Sequence, residues 1–173
     1  MKKLMLLILS IALFFGMLIQ KVEAQASITA QAFAEVIEGL TATETSQLNF
    51  GRFAPNNQGG QVHISPQGVR NATGSLALGG GAFNPASFYL TGQTGASFSI
   101  TLPSVASVLT NVSSSKTMLV SQWESIPPPG LDSGVLEGGS LAVNVGATLT
   151  VGSMDDNPVG IYTGTYSIVF AYN

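Results

Sequence analysis

From Leu141 to Val151 the chain alternates with a period of two. Leu141, Val143, Val145, Ala147, Leu149 and Val151 fall on one face, and Ala142, Asn144, Gly146, Thr148 and Thr150 on the other. That is the pattern of a strand with one buried face. The C-terminus repeats it, with Tyr162, Gly164, Tyr166, Ile168, Phe170 and Tyr172 at even positions and Thr163, Thr165 and Ser167 between them. Its other face turns apolar at Val169 and Ala171. Shorter alternations occur at Val62/Ile64, Leu76/Leu78, Phe88/Leu90, Phe98/Ile100/Leu102 and Met118/Val120. Pro55–Gly60, Gly79–Gly81, Thr91–Gly95 and Pro127–Gly130 read as turns or loops between them. Short strands punctuated in this way predict an all-β, antiparallel β-sandwich or barrel.

The segment from Ser27 to Leu40 supports two periods. Ala26, Ile28, Ala30, Ala32, Ala34 and Val36 alternate as in a strand, whereas Phe33, Val36, Ile37 and Leu40 fall at i, i+3, i+4 and i+7, as on a helix face. Local propensity favours the helix. Six consecutive alternations in an otherwise β chain favour the strand, so residues 25–40 are read as an N-terminal strand segment ahead of a sandwich domain at residues 41–173. An open edge beside an apolar groove needs a cover. Ile28, Ala30, Ala32, Ala34 and Val36 are therefore the candidate knobs of a donated strand, completing the sandwich of its own chain or of a neighbouring subunit. Association between chains costs about 4 kcal/mol or more in lost translational and rotational freedom, which favours the intramolecular version.

The first residues set the context. Lys2 and Lys3 precede an apolar run from Leu4 to Ile19, followed by the small-residue frames Val22-Glu23-Ala24 and Ala24-Gln25-Ala26. This is the layout of a cleaved signal peptide, residues 1–24, with the cut after Ala24 preferred. The run falls short of the roughly 20 residues that cross a bilayer, so no stable membrane span is expected in the mature chain. The expected destination is the periplasm, the cell surface or the extracellular space. Taking Lys2, Lys3, Lys21 and Glu23 from six basic and nine acidic residues leaves three and eight, a net charge of −5. That balance excludes nucleic acid as a partner. The chain has no cysteine, so an exported domain of this kind draws its stability from sheet burial and not from disulfides.

No residue set marks a catalytic, metal or cofactor site, and the chain is not read as an enzyme. His63 is the only histidine, and the Val62/Ile64 alternation puts it on the outward face of a strand. A relay needs a base held by a third group, and no partner is evident, so His63 reads as a solvated surface residue. Asp155, Asp156 and Asn157 precede Pro158 without the spaced oxygen ligands of a calcium loop, and read as turn caps. Trp123, the only tryptophan, reads as a cover for one end of the core in preference to a sugar platform.

Four stretches carry a resemblance: Leu48-Asn49-Phe50-Gly51; Phe88-Tyr89-Leu90-Thr91-Gly92 leading to Ser99-Ile100-Thr101-Leu102-Pro103; Leu141 to Gly152; and Gly160-Ile161-Tyr162-Thr163-Gly164-Thr165-Tyr166 through Tyr172-Asn173. They resemble an uncharacterised family of exported bacterial single-domain proteins, a domain of unknown function. More distantly, the Leu-Asn-Phe-Gly element and the closing strand are similar to spore-coat-protein-U and archaic chaperone–usher pilin subunits. Gly160 is fourteenth from the C-terminus and Tyr172 penultimate, the positions at which such pilins carry a glycine and an aromatic. The absence of cysteine departs from the disulfide common in those pilins, and the alanines of the candidate donor segment depart from their large knobs. The resemblance implies an immunoglobulin-like, pilin-like sandwich whose assembly strand carries Gly160, Tyr166, Ile168, Phe170 and Tyr172. It implies partners in copies of itself or related subunits, joined through strand edges. The function expected is that of a structural or assembly protein, as a subunit of a surface fibre or extracellular layer. The alternative is a secreted glycan- or small-ligand-binding module, with Trp123, Tyr89 and the Gly-rich loops as contacts.

Overall fold

The computed structural model describes Met5 and residues 25–173, so the expected signal peptide lies outside the described residues but for Met5. The chain divides after Glu35 into two units. In the first, residues 25–35 form neither helix nor strand. The second, Val36–Asn173, is all-β.

Its strands are β1 (Thr41–Ser46), β2 (Phe53–Ile64), β3 (Arg70–Leu78), β4 (Ala86–Thr91), β5 (Ser97–Thr101), β6 (Ser107–Asn111), β7 (Thr117–Ile126), β8 (Gly130–Val135), β9 (Ser140–Val151), β10 (Tyr162–Thr163) and β11 (Val169–Tyr172), with one 3-10 turn at Glu137–Gly139. Every pairing is antiparallel. One sheet runs β1-β4-β9-β7-β6-β10, with the β2–β3 hairpin attached through β9, and the other runs β11-β5-β8. The sheets curl into a half-barrel compatible with a β-sandwich.

β9 is the hub. Ser140–Val145 pair with β4, Ala147–Val151 pair with β2, and the opposite edge pairs with β7. Its alternation buries Val143, Val145, Ala147, Leu149 and Val151 to 3 % exposure or less. These residues anchor two clusters, one with Phe50, Val62, Ile64, Met118 and Val120, the other with Ala86, Leu90, Phe98, Ile100 and Leu136. Leu48 and Trp123 pack against both clusters and join them.

Trp123 reaches this place through a bulge. Between Ser121↔Thr148 and Glu124↔Gly146, β7 carries one residue more than β9, and Gln122 takes a left-handed φ of 51°. The extra residue reverses the parity of β7. Met118 and Val120 face inward before it, and Trp123 and Ser125 after it.

Three expectations are corrected. The closing segment, expected as one strand, forms two short ones in different sheets, because the chain leaves the edge of β6 for that of β5, and Gly160, Tyr166 and Ile168 fall outside both. Residues 25–40 join no ladder, and Ile28 and Val36 stand 92 % and 97 % exposed, so the expected strand over Ala26–Val36 is not formed in this chain. Alternation makes a strand only where an edge offers ladder bonds, and a face of mostly alanines adds little burial. Pro55–Gly60, expected as a turn, instead lies inside β2, where the register jumps from Pro55↔Leu76 to Gly60↔Gly74. The Gly- and Asn-rich run is accommodated there as a bulge.

Candidate functional site

The Leu48-Asn49-Phe50-Gly51 element turns the chain from β1 into β2. Asn49 exchanges two backbone bonds with Asn84, at 2.9 and 3.0 Å, and its side-chain oxygen accepts the Gly51 N–H at 2.8 Å. The Asn84 amide donates to Ser46 Oγ at 2.8 Å and to the Gln47 carbonyl at 2.6 Å. From β3, the Arg70 guanidinium donates to the carbonyls of Phe50 at 3.2 Å and Gly79 at 2.8 Å. It also lies 4.2 Å from the Phe83 ring centroid, a cation–π contact. These bonds hold one wall of a cleft in place.

The opposite wall is the closing segment. Tyr162–Thr163 pair with β6, Val169–Tyr172 pair with β5, and residues 164–168 between them join no ladder. Between residues 44–55 and 158–168 lies an open cleft of about 1410 Å³. Its lining is apolar: Leu109 and Trp123 are half-buried there, and Met118, Val120 and Leu149 belong to the buried core against which they pack. Beside it, the Trp123 and Tyr166 rings meet at 4.6 Å between centroids, tilted by 38°. Trp123 Nε1 and Tyr166 OH are buried without a hydrogen-bond partner. Burial, and secondarily the charge of Glu44, push the Tyr166 phenol up to about 12.

Tyr166, Ile168, Phe170 and Tyr172 alternate as half-buried residues with the exposed Ser167, Val169 and Ala171. All four pack against the second core cluster, and Phe170 meets Phe88 at 5.7 Å between ring centroids. Gly160 lies against Asn111, whose side chain a Cβ there would overlap. Gly164, which the sequence reading did not single out, is tighter still, because a Cβ on it would overlap the Val108 carbonyl oxygen of β6. The donor-strand candidates Ile28, Ala30, Ala32, Ala34 and Val36 lie on the exposed segment ahead of β1.

His63 has partners after all. Its Nδ1 lies 3.1 Å from Thr148 Oγ1 on β9, and its Nε2 lies 3.2 Å from Glu124 Oε1 on β7. The carboxylate contact is close but lacks hydrogen-bond alignment, since Glu124 Oε1 is also a buried oxygen with no hydrogen-bond partner. Hydroxyl, imidazole and carboxylate stand in the order of a nucleophile relay. Thr148 is 3 % exposed, so its hydroxyl offers no face to a substrate. The row is a cross-strand ladder tying β2, β9 and β7 together. The bulge brings Glu124 to it, which is why spacing alone did not reveal the pair.

In the loop after β9, the Asn157 side chain accepts the Gly152 N–H and donates to the Thr117 carbonyl at 2.8 Å. The Ser153 hydroxyl donates to Asp156 Oδ2 at 2.8 Å and holds that carboxyl below its ordinary value. These side chains act as turn caps. Trp123 and Tyr89 do not form one platform: Trp123 packs into both core clusters, whereas Tyr89 is exposed and bonds Ser140 Oγ at 3.0 Å. Among the described residues no group of three His, Cys, Asp or Glu gathers as metal ligands. No helix among them is long and apolar enough to cross a membrane.

The fold and site define an antiparallel β-sandwich domain with an open apolar cleft against its closing strand. The chain belongs to the DUF4402 family, a domain of unknown function, whose pattern matches residues 40–172. No curated protein and no solved structure matches it.

Proposed function

We propose that the protein is an exported structural or assembly subunit of a surface fibre or extracellular layer, in which the cleft takes a β-segment that completes the half-barrel. The observation that carries this reading is the cleft itself. It has an apolar lining and a wall whose residues 164–168 have no ladder partner. Strand addition supplies both missing elements, since main-chain bonds satisfy the open backbone and alternate side chains reach the lining. Small-ligand sites measure about 300–1,000 Å³, and this cleft of about 1410 Å³ favours a length of polypeptide. The separation of Trp123 from Tyr89 weighs against the glycan-binding alternative.

The proposed occupant is residues 26–36 of a copy of this chain, with Ile28 and Val36 as the larger knobs. An alanine methyl contributes about 0.8 kcal/mol on burial, against about 1.5–3 for a full aliphatic side chain. Main-chain bonding therefore carries much of the attachment. The signal-like N-terminus supports the export that this reading requires. A photo-crosslinking residue in place of Ile28 in the mature chain tests it. Adducts at Leu109, Trp123 or Tyr162 are expected, and adducts confined to residues outside the cleft would refute it.

A further inference from the structure

The phenol of Tyr172 does something the strand pairing does not require. It leaves β11 and accepts the Gln93 N–H at 2.7 Å, while its own hydroxyl proton goes to the Glu38 carbonyl at 2.9 Å. Glu38 lies just ahead of β1, and Gln93 lies in the loop joining β4 to β5. The neighbouring Gly92 leaves room for the phenol, since a Cβ there would overlap the Tyr172 hydroxyl. Leu40 packs into the second core cluster, and the Thr41 and Thr91 hydroxyls meet at 2.7 Å. The chain is thus fastened from Glu38 onward, whereas Val36 is 97 % exposed.

This clasp sits at one end of the two walls. The cleft is lined from Glu44 to Pro55 and from Pro158 to Ile168 and does not extend to the clasp. The shortest route by which the chain's own N-terminal segment enters is a reversal at Glu38–Gly39, running back beside β1. A tight two-residue reversal between antiparallel strands uses primed turns, with a positive φ at the first or at both central residues. Neither Glu38 nor Gly39 has one. The Tyr172 hydroxyl holds the Glu38 carbonyl, and the Gln93 side chain accepts the Glu38 N–H at 3.4 Å, in this non-reversing conformation, so self-insertion by that route has to break the clasp. A segment arriving from a second copy does not.

We infer that Tyr172 is a positioning residue that denies the cleft to the chain's own N-terminal segment and reserves it for the segment of another copy. The inference rests on the proposed function, and it reverses the preference for a self-completed monomer that chain entropy alone gives.

The test uses the full mature chain in light and heavy isotope forms, mixed after unfolding and refolded together, with the photo-crosslinker at position 28. Each adduct between the segment and the cleft is scored as light–heavy or same-label. For the parent, the light–heavy share should approach the statistical value for exchange between copies. For Tyr172→Phe, which keeps the ring and loses the hydroxyl, the ratio of within-copy to between-copy adducts should rise roughly fivefold, the factor expected for about one lost net hydrogen bond. Gly92→Ala, which displaces the phenol without removing it, should move the ratio the same way. Tyr89→Phe, which removes a phenol bond on the outer face, should leave it unchanged. An unmoved ratio in both Tyr172→Phe and Gly92→Ala overturns the inference while leaving the cleft reading intact. Absence of cleft adducts in every chain overturns the cleft reading and takes this inference with it.

Discussion

Replacing Gly164 by alanine asks whether the closing segment truly lies against β6. A Cβ at this position overlaps the Val108 carbonyl oxygen and approaches Leu109 Cδ2 to 3.0 Å. The carbonyl cannot swing aside, because Val108 is held in register with Leu119 of β7. The closing segment must move instead, which loosens the Tyr162–Thr163 pairing and the packing of Tyr166. Overfilling of this kind costs about 1–3 kcal/mol. Alanine recovers about 0.4–1 kcal/mol by restricting the unfolded chain. The net expectation is a loss of about 1–2 kcal/mol, or about 3–6 °C in Tm for a domain of this size. Urea unfolding followed by the fluorescence of Trp123, the only tryptophan, reads it as a lower midpoint at constant m. Gly80→Ala is the reference, because nothing lies within 4 Å of its Cβ position, and its midpoint should hold or rise slightly. Equal midpoints for the two variants would show that the closing segment does not pass β6 as described.

Three further outcomes follow from the same geometry. Phe170→Ala should cost about 2–3 kcal/mol in urea unfolding, below the roughly 3–5 of a fully buried phenylalanine, because the ring is only half-buried; an unmoved midpoint would mean that the even face of the closing strand does not pack on the core. Arg70→Met strands the carbonyls of Phe50 and Gly79, and should cost about 1.5–3 kcal/mol, since hydrogen bonds to a charged donor exceed neutral ones; a midpoint equal to the parent's would refute the brace. The Tyr166 phenol is raised from 10.0 to about 12, so its contribution to stability is whole below pH 10 and is lost as pH rises through 12; the parent minus Tyr166→Phe difference in absorbance near 295 nm isolates it, and ionisation near pH 10 would show the phenol to be solvated.

The parts of the fold legible in the sequence were those whose periodicity coincided with burial. β9 is read from its alternation because it is flanked on both edges, so each inward position must be apolar and no outward position needs to be. The closing segment is read at its even positions although β10 and β11 are edge strands, because those side chains pack half-buried on the core. β1 left no trace: Thr-Ala-Thr-Glu-Thr-Ser is exposed almost throughout, and it is a strand only because β4 offers it an edge. The Met118/Val120 alternation gave no place to Trp123 and Glu124, since the bulge at Gln122 inverts faces within one strand and propensity carries no signal for it. The same inversion hid the His63–Glu124 contact. The cleft was not legible at all, because a groove is defined by what is missing between two walls distant in sequence. Its walls nevertheless contain Leu48–Gly51 and Gly160–Tyr166, two of the four stretches that carry the family resemblance.

The small side chains of the N-terminal segment acquire a different meaning once the cleft lining is known. Seen as a strand in isolation, Ala30, Ala32 and Ala34 are weak knobs. On the proposed function the cleft they enter already carries the large groups, with Trp123 tilted against Tyr166 and Leu109 beside them. Close packing between two layers needs large residues facing small ones, at a density that leaves no voids. A segment of large knobs would have to displace these rings, whereas an alanine face brings its backbone near enough to the unladdered residues 164–168 to bond them. The knobs of β9 are sealed by neighbours on both sides, and those of the closing strand remain half-buried. On the proposed function that half-burial is the surface an incoming segment covers. Its main chain is held by bonds to the wall, and Ile28 and Val36 mark the ends of the alanine run. On that proposal the small face complements the cleft, and a ladder with residues 164–168 supplies the grip that the side chains do not.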